Sequence, residues 1–169
     1  MFARTPRLTL RPGWLEDAPQ LTQAIAHEAV AFKLSRLPWP YTLGHAEGWL
    51  GADPEPGNHP LLVFAHDRGA SPELVGGIGL HTHGEELEIG YWLTPAAWGR
   101  GYATEAGRAV LGMARHALGV RRLFGRHMVD NAASGGVLRK LGFRHTGEGR
   151  LPCLARGEDV DCLTYELAL

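Results

Sequence analysis

The chain has 169 residues, with 17 Lys plus Arg against 18 Asp plus Glu and a formal charge of −1. That length suits a single domain, 1–169, whose core needs neither disulfide nor metal to hold it; 44% hydrophobic and 21% charged residues is a globular composition, not a disordered one. The near-zero balance argues against a dedicated nucleic-acid binder, which would be strongly basic.

In chain order, Leu8 and Leu10 alternate with Arg7, Thr9 and Arg11 and predict a short strand. Asp17-Ala18-Pro19-Gln20 predicts a helix start, with Asp17 as N-cap, a proline in the first turn and Gln20 closing a capping box. Leu21, Ala24 and Ile25 continue its apolar stripe. Residues 32–41 (FKLSRLPWPY) read as a packed loop, a short helix from near Thr42 carries Trp49 and Leu50, and 51–60 reads as a loop. Strands are expected at 61–65, 74–80 and 87–93, with turns at 67–69 and at His83-Gly84. In the third of these, Leu87, Ile89, Tyr91 and Leu93 share one face and Glu88, Gly90 and Trp92 the other.

The longest helical pattern comes next, with Ala103, Ala106, Val110, Met113, Ala114 and Ala117 on one stripe. Residues 121–129 predict a strand and 131–141 a helix capped by Asp130 or Asn131, with Val137, Leu138 and Leu141 inward. Gly142-Phe143 fits a glycine C-cap with a hydrophobic follower. Strands near 144–154 and 160–168 flank a turn at 156–159. This order of elements requires a mixed sheet.

The N-terminus MFARTPRLTL lacks an apolar signal core, and no run approaches the ~18 apolar residues of a membrane span. The expectation is therefore a cytoplasmic chain without a membrane partner, in which Cys153 and Cys162 are free thiols.

The overall charge conceals a partition. Residues 98–150 hold ten basic and three acidic side chains, 1–97 hold six and eleven, and 151–169 hold one and four. A basic segment inside a neutral chain suggests a small polyanionic ligand. It begins at the most informative stretch, Thr94 to Ala106 (TPAAWGRGYATEA), set between a strand and the long helix. Gly99 and Gly101 permit close backbone approach, and the helix start offers unpaired N–H groups and a positive dipole end to phosphate oxygens. Arg100 adds a charge-assisted contact. The stretch is neither a Walker loop nor a dinucleotide fingerprint, and a glycine-bearing strand-to-helix turn is by itself compatible with nothing more than a tight turn.

Trp98-Gly99-Arg100-Gly101-Tyr102-Ala103-Thr104-Glu105-Ala106 resembles the pyrophosphate-binding motif of the GNAT acetyltransferases, most closely the branch that includes the RimJ/RimL-like ribosomal-protein N-terminal acetyltransferases. Three more stretches agree in order and spacing. Arg7 to Pro12 resembles that branch's opening strand and Glu88 to Leu93 its fourth strand, while Asn131-Ala132-Ala133-Ser134 through Phe143 resembles its Asn-x-x-Ser helix and the start of the next strand. The general superfamily motif opens with Gln or Arg where this chain has Trp98, a residue common in this branch, so that Arg100 takes over the phosphate contact.

The resemblance implies an α/β GNAT fold, with a mixed, mostly antiparallel central sheet, splayed parallel strands and helices on both faces. It implies acetyl-CoA as acetyl-donor cosubstrate, with no metal, and direct attack by a primary amine in a ternary complex. Pantetheine would bond main chain near Trp92, Leu93 and Thr94. Pyrophosphate would sit on Gly99 to Thr104 (with Trp98, Arg100, Tyr102 and Ala103), and Asn131 and Ser134 would lie near the sulfur. The acceptor is a protein N-terminal amine or a small-molecule amine such as a polyamine, amino acid or aminoglycoside. A CoA-binding sensor with little turnover is the alternative of another class.

Glu88, facing away from the apolar stripe, is the candidate base; the competing reading is a strand carboxylate that pairs with Arg or orients substrate. Ser134 is a candidate donor to the leaving thiolate, or a first-turn serine bonded to nearby backbone. The tyrosine acid that many superfamily members carry one turn beyond is replaced by Val137-Leu138. His81 and His83 at a strand end are solvated side chains, an alternative base, or two ligands short of a metal set. Trp39 and Tyr41 are candidates for acceptor contact, or loop-packing aromatics. A homodimer is the default for a small enzyme.

Overall fold

The computed structural model describes residues 1–169. Eight strands form one sheet in the order β1-β2-β3-β4-β5-β6-β8-β7, built from β1 (Ala3–Arg4), β2 (Leu8–Arg11), β3 (His59–Ala65), β4 (Glu73–His83), β5 (Glu86–Leu93), β6 (Arg122–Met128), β7 (Arg144–Cys153) and β8 (Glu158–Ala168). Helices α1 (Ala18–Ile25), α2 (Glu28–Ala31) and α3 (Leu43–Gly51) come before β3; α4 (Tyr102–His116) and α5 (Ala132–Lys140) flank β6. Every pairing is antiparallel except β5 with β6, which α4 joins as a βαβ crossover.

The continuous apolar run of β3 is explained by two cores. Leu61, Val63 and Ala65 pack with Ala106, Val110 and Ala114 of α4 and Leu138 of α5, whereas Leu62 and Phe64 pack with Leu21, Ala24 and Ile25 of α1 and Ala46 of α3. A strand covered on both faces loses its alternation. The helices therefore lie on both faces of a mixed sheet, as expected.

Several local expectations are corrected. The carboxylate of Asp17 does not cap α1: it pairs with Arg11 at 2.7 Å and accepts the Trp14 amide at 2.8 Å. A nearby guanidinium outcompetes the helix amides for it. β3 and β4 run longer than their apolar stretches, because polar ends such as His59, His81 and His83 continue the ladder beyond the core. The turn accordingly falls at Gly84-Glu85, past the predicted His83-Gly84. Two elements, β1 and the single turn of α2, are too short to leave a periodic signal.

Candidate functional site

The β5–β6 pair is joined by one bridge, Glu88 with Phe124, so the two strands part beyond it. Both lead by short connections into helices, β5 into α4 and β6 into α5, so the ends of both strands and the first turns of both helices border the same opening. On β5, the amide of Thr94 is spent on the Val75 carbonyl of β4 (2.9 Å). The two-residue alternation of an antiparallel ladder then turns the main chain of Tyr91 and Leu93 toward the opening. Of Trp92, Leu93 and Thr94, Leu93 turns its main chain to the opening; the Thr94 amide is committed to β4, and the ring of Trp92 packs against the α1 core. The Leu93 carbonyl already accepts the indole N–H of Trp98 (2.8 Å).

The loop after β5 is shaped by Gly99 at φ 74° and Gly101 at φ 80°, the latter standing at the N-cap of α4. That left-handed conformation disfavours any β-carbon, and no side chain caps the helix, so the first-turn amides stay open to a ligand. Tyr102 and Thr104 are buried. The Tyr102 hydroxyl donates to Asp67 (2.6 Å), so its side chain anchors the helix and only its amide faces outward. Glu105 accepts from the Thr5 hydroxyl (2.6 Å) and the Arg7 amide (3.0 Å) and pairs with the Arg7 guanidinium (2.7 Å), which also donates to the Arg100 carbonyl (3.0 Å). Burial works against the ionised Glu105, but these donors outweigh it and hold the carboxyl below its ordinary range. Beside the loop, a cavity of about 770 Å³ is lined by Arg4, Arg7, Arg108 and Lys140 with Glu105, Gly101 and Thr104. The basic segment thus meets the β1–β2 turn around one concave surface.

Across the opening, Asn131 caps α5 by accepting the Ser134 amide (3.4 Å). The Ser134 hydroxyl donates to the Tyr91 hydroxyl (3.0 Å), which in turn donates to the Ser134 carbonyl (2.8 Å). Burial pushes the Tyr91 phenol up to about 12, partly offset by its bond to Ser134, so it keeps its proton. Sequence reasoning missed this phenol, because Tyr91 reads there as a member of the apolar stripe of β5. It comes from a strand rather than from the helix that carries the superfamily tyrosine.

On the other face of β5, Glu88 lies in an ion pair with Arg126 of β6, which also donates through Nε at 2.9 Å. His83 stands against Arg126 at 3.4 Å, and His81 sits directly opposite Glu88 on β4. No group of three His, Cys, Asp or Glu side chains is arranged to hold a metal ion. Tyr41 packs against the α1 core, on the same side as Trp92, and burial raises its phenol pKa. Trp39 is 36% exposed in the same segment. Asp130 joins Lys33 (2.8 Å) and Arg156 (2.7 Å), tying α2 and the β7–β8 turn to the foot of α5. Cys153 and Cys162 are buried free thiols.

A wedge between two parallel strands, edged by a glycine-shaped helix N-terminus and by a hydroxyl pair, is the arrangement implied for a CoA thioester. The acetyltransferase (GNAT) domain model matches residues 7–144. The chain belongs to this family. It is similar to an uncharacterized N-acetyltransferase of Bacillus subtilis, YoaA, at 33% identity over 104 residues, 60% of this chain; that stretch spans 59% of the relative's length. Among solved structures, a GNAT acetyltransferase of Bacillus anthracis superposes with a TM-score of 0.83 at 22% identity, covering 99% of this chain and 98% of that one. RimL, a ribosomal L7/L12 α-N-protein acetyltransferase solved with coenzyme A, superposes with a TM-score of 0.80 at 20% identity, covering 100% and 98%. The neighbours thus include the RimL type that the motifs resemble. The domain is that of the acetyl-CoA-dependent N-acetyltransferases. No helix is long and apolar enough to cross a membrane.

Proposed function

We propose that this chain moves the acetyl group of acetyl-CoA to the α-amine at the N-terminus of a protein or peptide. The observation that carries the acetyl-CoA half of this reading is the single Glu88–Phe124 bridge, beyond which β5 and β6 part and expose strand main chain between two helix starts. The residues fit the cosubstrate: the amides from Gly99 to Thr104 would hold its pyrophosphate, with Arg100 and the cations of the adjoining cavity as counter-charges. Leu93 would meet the pantetheine as an added strand does, and Asn131, whose oxygen is used in the cap, would offer its NH₂. Ser134 would turn its hydroxyl proton from Tyr91 to the sulfur as charge develops there, with the Tyr91 hydroxyl donating to the Ser134 oxygen in turn. Glu88 would face the incoming amine together with Trp39 and Tyr41.

An α-amine is the easier nucleophile, because its pKa of ~8 leaves more free base at pH 7 than a lysine side chain at ~10.4. The RimL likeness points the same way. The test is thiol release from acetyl-CoA against a panel of peptides with free or blocked N-termini, spermidine, free amino acids and an aminoglycoside. Turnover is expected with free-N-terminal peptides and not with their blocked forms. Turnover confined to a small amine would replace this acceptor by the small-molecule one.

A further inference from the structure

We propose that His81, rather than Glu88, takes the proton from the attacking amine. This rests on the reading of the cleft as the place where a thioester meets an amine. His81 is the cross-strand partner of Glu88, which marks the last bridged position of β5 before the strands part. Its ring does not stand over Glu88. It leans over Gly90, where a β-carbon would overlap Nε2, so the imidazole lies along β5 in the direction of the opening. Glycine at 90 is what makes that space.

Arg126 engages the neighbouring groups. It holds the Oε2 oxygen of Glu88 through two nitrogens. His83 is against Arg126. His81 makes no hydrogen bond within the chain, so its ring nitrogens have no protein partner. The charged groups that face it are Glu88 from β5 and Arg36 from the segment between α2 and α3; Arg126 and His83 stand beyond Glu88. Solvent still reaches the residue, but the ring is crowded enough that burial lowers its pKa below the ordinary value, with Arg36 adding to this and Glu88 opposing it. That balance favours the neutral, proton-accepting imidazole.

In the step itself, the amine nitrogen bonds to the thioester carbonyl carbon. The C–S bond breaks with its electron pair going to sulfur, and the proton on nitrogen passes to His81 and from there to water. The amine enters as free base, and CoA leaves as thiolate beside Ser134.

The experiment is a pH profile of kcat/KM from pH 5 to 9, by thiol release from acetyl-CoA with the amine of the panel that the protein acetylates. His81→Gln should lower kcat by about a hundredfold or more, the scale of a general base. It should erase the acidic limb while leaving the Kd for CoA within about twofold. Added imidazole should restore activity to His81→Ala. Glu88→Gln should keep the limb but displace it to lower pH, since the carboxylate raises the imidazole pKa. The inference is overturned if His81→Gln retains the wild-type limb and rate, or if Glu88→Gln is the variant that erases the limb. Should the wild-type protein acetylate no amine of the panel, the proposed function fails first and takes this inference with it.

Discussion

The two sides of the wedge are built from different materials. The proposed donor side is main chain: two glycines at positive φ, the uncapped amides of α4 and the exposed edge of β5. The proposed acceptor side is side chain: His81 and His83 from β4, Glu88 from β5, Arg126 from β6 and the aromatic segment before α3. A main-chain site tolerates wide change in the residues around it but constrains the glycines that shape it. A side-chain site needs residues brought together from distant strands, each of which looks ordinary on its own strand.

The largest effect that would break this contrast comes from Gly101. At φ 80° a β-branched residue carries strain of about 1–3 kcal/mol, so Gly101→Val should weaken CoA binding by about ten- to a hundredfold. The fold should survive, because the position is exposed and a β-carbon there would meet only the Arg7 side chain, at 3.6 Å. Calorimetric titration with CoA, beside a melting curve, separates the two. Undiminished affinity would mean that the loop amides do not hold the pyrophosphate.

The same contrast explains which parts of the molecule are legible along the chain. The loop, its helix and the Asn-x-x-Ser turn are contiguous, so spacing and resemblance locate Gly99, Gly101, Asn131 and Ser134. The helices and the longer strands also announce themselves, through apolar stripes that end at glycine or proline. Registers do not. Nothing along the chain says that Arg126 reaches Glu88, 38 residues away, or that the His81 ring crosses to Gly90, because cross-strand neighbours are set by pairing rather than by sequence distance. Tyr91 is hidden for a related reason: its ring belongs to the apolar stripe while its hydroxyl belongs to the site. Asp17 misleads because a cap signature is local, and the guanidinium that overrides it comes from β2.

Tyr91→Phe tests the junction of the two sides and should have an intermediate effect. It removes the hydroxyl that receives the Ser134 hydroxyl at 3.0 Å without opening a cavity. One such bond is worth about 1 kcal/mol, so kcat should fall about fivefold to tenfold with CoA affinity unchanged. If CoA affinity falls instead, the pair belongs to binding and not to the departure of the thiolate.

The smallest expected effect sharpens the comparison from within the loop itself. Trp98 donates its indole N–H to the Leu93 carbonyl at 2.8 Å, yet half of its surface faces water. In Trp98→Phe the ring remains and one exposed hydrogen bond is lost, which water can replace, so CoA affinity should change by less than about threefold. Set beside Gly101→Val, this separates the conformation of the loop from its side chains at positions three residues apart. A loss for Trp98→Phe as large as for Gly101→Val would show that the indole, by holding the Leu93 carbonyl, sets the width of the wedge. The donor side would then depend on a side chain as much as the acceptor side does.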